Sequence, residues 1–142
     1  FHIASTSKTF TAAAVLYLVD KGKLSLTDSI QKFFPGFPYK NISVRTLLSQ
    51  RSGLPNYMNA MEEGGWNRKQ IASNTDVLNF FITHQPKLYY PSGSRFNYSN
   101  TNFVLLALII EKASGKSYAS FLKELFFTPL QMNDTYVYTH AD

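Results

Sequence analysis

From Thr11 to Val19 the chain reads TAAAVLYLV, a run of strong helix formers followed closely by Gly22. It predicts a helix from about Ser5 to Lys21, with Gly22 in the left-handed position just past its end. Ser5 or Thr6 can cap the start by accepting a backbone N–H. Leu24 and Leu26 alternate with polar residues as a short extended link. Thr27 or Asp28 can then start a short helix that must stop by Pro35.

The Pro35-Gly36-Phe37-Pro38 turn breaks the chain. Ser43 next caps a helix carrying Val44, Leu47 and Leu48, expected to end near Gly53-Leu54-Pro55, and a polar loop runs through Gly64-Gly65-Trp66. A further helix starts near Asn74-Thr75-Asp76, with Val77, Leu78, Phe81 and Ile82 on its inner face. Tyr89 to Ser94 is a loop. Asn100 or Thr101 opens a helix that is apolar on every side from Phe103 to Ile110, the mark of a buried element. Ser114-Gly115 ends it. Ser117 caps a last amphipathic helix with Phe121, Leu122, Leu125 and Phe126 inward, and Pro129 stops it. The tail to Asp142 is expected to be irregular or extended. With six or seven helices predicted, no convincing sheet and no internal repeat, the fold class is mainly α.

Composition bounds the function. The chain of 142 residues is 44% hydrophobic and 16% charged, within the globular range. Its net charge of +5 comes from scattered Lys and Arg, with no basic run beyond Arg68-Lys69. Nucleic-acid binders gather such charge on one face, so this pattern reads as solvated surface. There is no cysteine, which removes thiol catalysis, disulfides and thiolate-bound zinc. The longest apolar run, Phe103 to Ile110, falls well short of the ~18 residues of a membrane span. The first residue is Phe1 and no signal sequence is visible, so the chain is expected to lie inside a longer gene product.

Ser5-Thr6-Ser7-Lys8 sets a hydroxyl and an amine at i and i+3, on one helical face. A serine hydroxyl needs a base to take its proton, and a lysine can serve if burial or nearby charge lowers its pKa. A helix start adds free N–H groups and a positive dipole end that would stabilise an oxyanion. The motif is short, and it recurs at Ser29-x-x-Lys32 and Ser120-x-x-Lys123. Only Ser5 heads a long, Ala-rich helix. Tyr98-Ser99-Asn100 offers a phenol that can act as a general base beside a lysine cation, and an amide that can hold the lysine or a substrate carbonyl. This pattern also recurs, at Tyr39-x-Asn41 and Tyr57-x-Asn59; Tyr98 is preferred because a buried helix can hold it in place. On spacing alone, Ser5 as a cap, Lys8 as a solvated lysine and Tyr98 as a core tyrosine stay open.

Other chemistries find less support. His2, His84 and His140 are far apart and form no metal-binding pair. There is no Gly-x-Ser-x-Gly elbow and no Gly-rich phosphate loop. His2 reads as part of a preceding strand, and Glu62-Glu63 as a solvated pair.

Along nearly its whole length the sequence resembles the β-lactamase-related serine hydrolases: class C β-lactamases, D-alanyl-D-alanine carboxypeptidases, penicillin-binding proteins and related esterases. FHIASTSKTFTAAAVLYLVDKGKLSLTDSIQKFFP is similar to that family's nucleophile helix and the segment after it. ISVRTLLSQRSGLP is similar to its next landmark, where a His-Thr pair often stands at Gln50-Arg51. PSGSRFNYSNTNFVLLALIIEKASGKSY resembles the Tyr-x-Asn region, and FLKELFFTPLQMNDT the close of the helical lobe. The resemblance implies that Ser5 is acylated, Lys8 assists, Tyr98 moves protons and Asn100 contacts Lys8 or the substrate amide. It implies an acyl-enzyme mechanism without metal or cofactor, on a β-lactam, a D-alanyl peptide or an ester, and work outside the cytoplasmic membrane. The non-catalytic alternatives are a relative that binds peptidoglycan-like peptides or β-lactams as a sensor, and a helical interaction module.

The same resemblance implies a helical lobe set beside an antiparallel sheet, with residues 1–142 supplying the helical subdomain alone. The family's third motif, Lys-Thr-Gly or a His-containing equivalent on a strand, has no counterpart here. Losing one oxyanion donor can cost ~100–1,000-fold in rate, so the lobe by itself is expected to be weakly active or inactive. An uncovered apolar face is also expected to favour self-association.

Overall fold

A computed structural model describes residues 1–139. A 3-10 turn, Ala4–Thr6, leads into α1, Ser7–Asp20. Thr11, Ala14, Val15 and Leu18 are buried, an i, i+3, i+4, i+7 stripe, while Leu16 and Tyr17 stay exposed. Gly22 is left-handed at φ 67°, as its place after the helix requires. The next element is a 3-10 turn, Ile30–Lys32, capped by Ser29. It begins later than Thr27 or Asp28 because the Asp28 carboxylate instead accepts from the Ser25 N–H and from Lys32 Nζ, each at 2.8 Å.

Ser43 and Thr46 form a reciprocal capping box at the start of α2, Val44–Leu48. This helix stops short of Gly53, because Gln50 turns left-handed at φ 57°. Helix α3, Tyr57–Glu63, lies in the stretch expected to be a loop. Asn56 accepts from the Met58 N–H, and Ala60 and Met61 are buried. Helix α4, Asn74–His84, is capped by Ser73 and buries Val77, Leu78, Phe80 and Phe81; Ile82 is half-buried.

Helix α5, Asn100–Ser114, is the axis of the lobe and packs on α1, α2, α4 and α6. Leu105, Leu106, Ile109 and Ile110 are fully buried, each worth about 1.5–3 kcal/mol of transfer from water. Left-handed Gly115 ends it, and Ser117 caps α6, Tyr118–Leu122, which continues as a π-turn, Lys123–Phe127. Among the described residues there are six α-helices and no strand beyond a single antiparallel bridge, Ser29 to Ser43. The mainly α class is therefore correct. His2 is in no strand; its ring meets the edge of Tyr138 at 5.4 Å. The tail from Thr128 to Thr139 is turns and irregular chain, and the rest of the expected tail, with His140, lies outside the described residues. No helix among the described residues is long and apolar enough to cross a membrane.

Candidate active site

The 3-10 turn before α1 fixes Ser5. Its first backbone bond runs from the Thr6 N–H to the Ile3 carbonyl at 3.0 Å, leaving Ser5 one residue ahead of it. Ala4 sits at φ 44°, a left-handed conformation costly for a residue with a Cβ, by about 1–3 kcal/mol. The Ser7 hydroxyl braces it by donating to the Ala4 carbonyl at 2.7 Å. Ser5 is not the helix cap; Thr6 holds that position, without a side-chain bond.

One turn along, Lys8 Nζ donates to Ser5 Oγ at 3.0 Å. Tyr98, 93 residues away, brings its phenol oxygen to 2.8 Å from the same Oγ. Lys8 Nζ also lies 5.1 Å from the centre of the Tyr98 ring and 5.8 Å from that of Phe103. The Lys8 ammonium beside it, and then the Ser5 hydroxyl, hold the Tyr98 phenol below the ordinary tyrosine range. As a cation, Lys8 has no lone pair and can only donate. The single Ser5 proton is then free to point at the Tyr98 oxygen. With Tyr98 ionised, this geometry can move a proton from serine to the phenolate.

Asn100 opens α5 and, with Lys8, Tyr57 and Phe103, lines a shallow hollow of about 250 Å³. It does not bond Lys8, and among the described residues its side-chain amide has no partner. Tyr57 of the recurrent Tyr57-x-Asn59 pattern joins this hollow because α3 begins there.

The repeated motifs go elsewhere. Ser29 Oγ accepts from the Gln31 N–H, while Lys32 pairs with Asp28. Ser117 Oγ donates to Ser120 Oγ at 2.9 Å. The Tyr39 phenol donates to the Pro86 carbonyl at 2.5 Å, and burial pushes its pKa up. Glu62 pairs with Arg68.

Sequence reasoning missed the buried polar group behind Tyr98: Gln50, Ser52, Ser99, Thr101 and Asn102. Thr101 Oγ1 donates to the Pro55 carbonyl at 2.7 Å and accepts from the Tyr57 N–H at 2.8 Å. The available signal was Thr101-Asn102 at the head of an otherwise apolar helix, since polar side chains buried there need partners.

The family model described as Beta-lactamase matches residues 1–142. Penicillin-binding protein 4* of Bacillus subtilis is 44% identical over 138 residues, 97% of this chain and 30% of that protein. The crystal structure of a penicillin-binding protein from Bacillus halodurans is 27% identical with a TM-score of 0.83, over 100% of this chain and 43% of that one. The crystal structure of D-amino acid amidase from Ochrobactrum anthropi SV3, in complex with D-phenylalanine, is 33% identical with a TM-score of 0.83, over 99% and 39%. The chain thus spans less than a third of the curated relative's length, and it matches less than half of each of these larger structures. It belongs to the β-lactamase family of serine hydrolases and forms the helical lobe of that fold.

Proposed function

We propose that Ser5 is the nucleophile of an acyl-transfer hydrolase acting on an amide, β-lactam or ester carbonyl. The observation that carries this reading is the convergence of Tyr98 Oη at 2.8 Å and Lys8 Nζ at 3.0 Å on Ser5 Oγ. Ser5 Oγ bonds to the carbonyl carbon as its proton passes to the Tyr98 oxygen. Lys8, donating throughout, favours the charged forms on both neighbours. The Ser5 N–H supplies one oxyanion donor. The tetrahedral intermediate collapses and the leaving group departs with the proton held by Tyr98. Water then attacks the acyl-Ser5 ester as the Tyr98 phenolate takes its proton, and the second intermediate collapses as Ser5 Oγ leaves with that proton, freeing the carboxylic acid product and restoring both groups. Asn100, with a free amide beside Lys8, holds the substrate's amide.

Likeness to a D-amino acid amidase favours an amide next to a D-configured centre as substrate. In the whole protein, a second lobe closes the pocket and supplies the other oxyanion donor, and the enzyme works outside the cytoplasmic membrane. The exposed apolar residues Phe1, Ile3, Tyr136 and Tyr138, around a hollow of about 310 Å³, suit such a neighbour.

The test is covalent labelling of the full-length gene product with fluorescent penicillin and with a fluorophosphonate. Label is expected on the wild type and not on Ser5→Ala. Saturable but reversible binding would replace this reading with the sensor one.

A further inference from the structure

We infer that Gln50 is a positioning residue for Tyr98, a clamp that holds the phenol on Ser5 by gripping the backbone on both sides of it. The inference rests on Tyr98 handling the Ser5 proton. Tyr98 is 48% exposed, so packing alone does not fix its hydroxyl. Its place must come largely from the backbone that carries it.

The two backbone N–H groups that flank Tyr98 both bond to one residue, while the Ser99 hydroxyl adds a bond to the Pro55 carbonyl at 3.2 Å. The Asn97 N–H donates to the Gln50 main-chain oxygen at 2.8 Å. The Ser99 N–H donates to Gln50 Oε1 at 3.0 Å. Tyr98 is the residue between. The same Oε1 accepts from Asn102 Nδ2 at 2.5 Å, tying the loop to the first turn of α5. Asn102 Oδ1 in turn accepts from Ser52 Oγ at 2.5 Å, and Ser52 Oγ accepts from the Leu54 N–H.

Gln50 is only 6% exposed, and it adopts φ 57°, a backbone conformation that a non-glycine residue takes at a cost. A buried polar side chain in a strained conformation, with both acceptor oxygens committed to the flanks of a single residue, is over-determined for one task. An amide does not titrate, so the grip does not depend on pH. The charged group against the phenol is Lys8 of α1; Gln50 and Ser52 behind it are neutral.

The clamp is read with the full-length protein carrying tyrosine labelled at Cζ. The Tyr98 NMR signal is assigned by its loss in Tyr98→Phe. In the wild type it is expected to titrate below the ordinary tyrosine range, with the Lys8 ammonium against it. In Gln50→Leu the titration is expected to move up toward that range, and penicillin acylation to slow at least ~10-fold with its acid limb shifted the same way. Gln50→His, which at alkaline pH offers a neutral ring nitrogen as acceptor, should recover most of both. If Gln50→Leu does not fold, Gln50→Gly favours the left-handed backbone and keeps the main-chain acceptor while removing the whole side chain, Oε1 with it. An unmoved Tyr98 titration in Gln50→Leu or Gln50→Gly overturns the clamp. A wild type that is never acylated counts against the proposed function alone, since the Tyr98 titration still decides the clamp.

Discussion

Lys8 Nζ and Tyr98 Oη converge on the same oxygen of Ser5, and the sign of the pH dependence expected of the proposed mechanism follows from that arrangement. The Tyr98 phenol is held below the ordinary value near 10 by the Lys8 ammonium and then the Ser5 hydroxyl. In the proposed mechanism the base form is the phenolate, so acylation should rise with pH through that lowered value and level off above it. In Tyr98→Phe the limb should vanish and the plateau drop by about 100–10,000-fold, the usual worth of a positioned proton acceptor. A pH–rate profile of penicillin acylation checks both; an unchanged limb in Tyr98→Phe assigns it to another group. At this scale the sequence was partly legible. Ser5, Lys8 and Tyr98 are written as short motifs, but each motif occurs three times, and only position on an element separates them. Gln50 was not legible as a partner. A single polar residue has no periodicity, and its bonds to Ser99 and Asn102 span 49 and 52 residues of chain.

Among the elements, those with a long apolar pattern were legible: α1, α4 and α5 fall where their patterns put them, although Ser73 of α4 is the one side-chain cap of the three. Helix α3 was not, because its seven residues bury only Ala60 and Met61, too little for a 3.6-residue period to show among polar neighbours. The end of α2 was misplaced because Gln50, not Gly53, makes the first left-handed turn. Gly53 has its own reason to be there. It sits at φ 79°, and a Cβ added to it would stand 1.9 Å from the Tyr90 carbonyl oxygen. Tyr89 N–H bonds the Gly53 carbonyl across the same contact at 2.9 Å. Gly53→Ala should therefore separate the 50–57 strap from the loop that leads to Tyr98. The expected loss is at least ~2 kcal/mol, combining left-handed strain with a clash against backbone. Denaturant melts of the two proteins measure it, and a change under 0.5 kcal/mol would show that the strap and loop are not in contact.

For the whole molecule, the described residues build one continuous core around α5, and that core sets the distance between two distant parts of the chain that form the candidate site. Ser5 and Lys8 ride on α1, Tyr98 on the approach to α5, and the packing of α1 on α5 brings them together. Groups that serve one proton transfer are coupled, and their losses do not multiply. The most direct test is therefore a double-mutant cycle on the penicillin acylation rate of the full-length protein, using Lys8→Ala, Tyr98→Phe and the pair. The account predicts that the double variant is within a few-fold of the slower single variant. Losses that multiply in full would contradict it, because Lys8 and Tyr98 would then act on Ser5 independently.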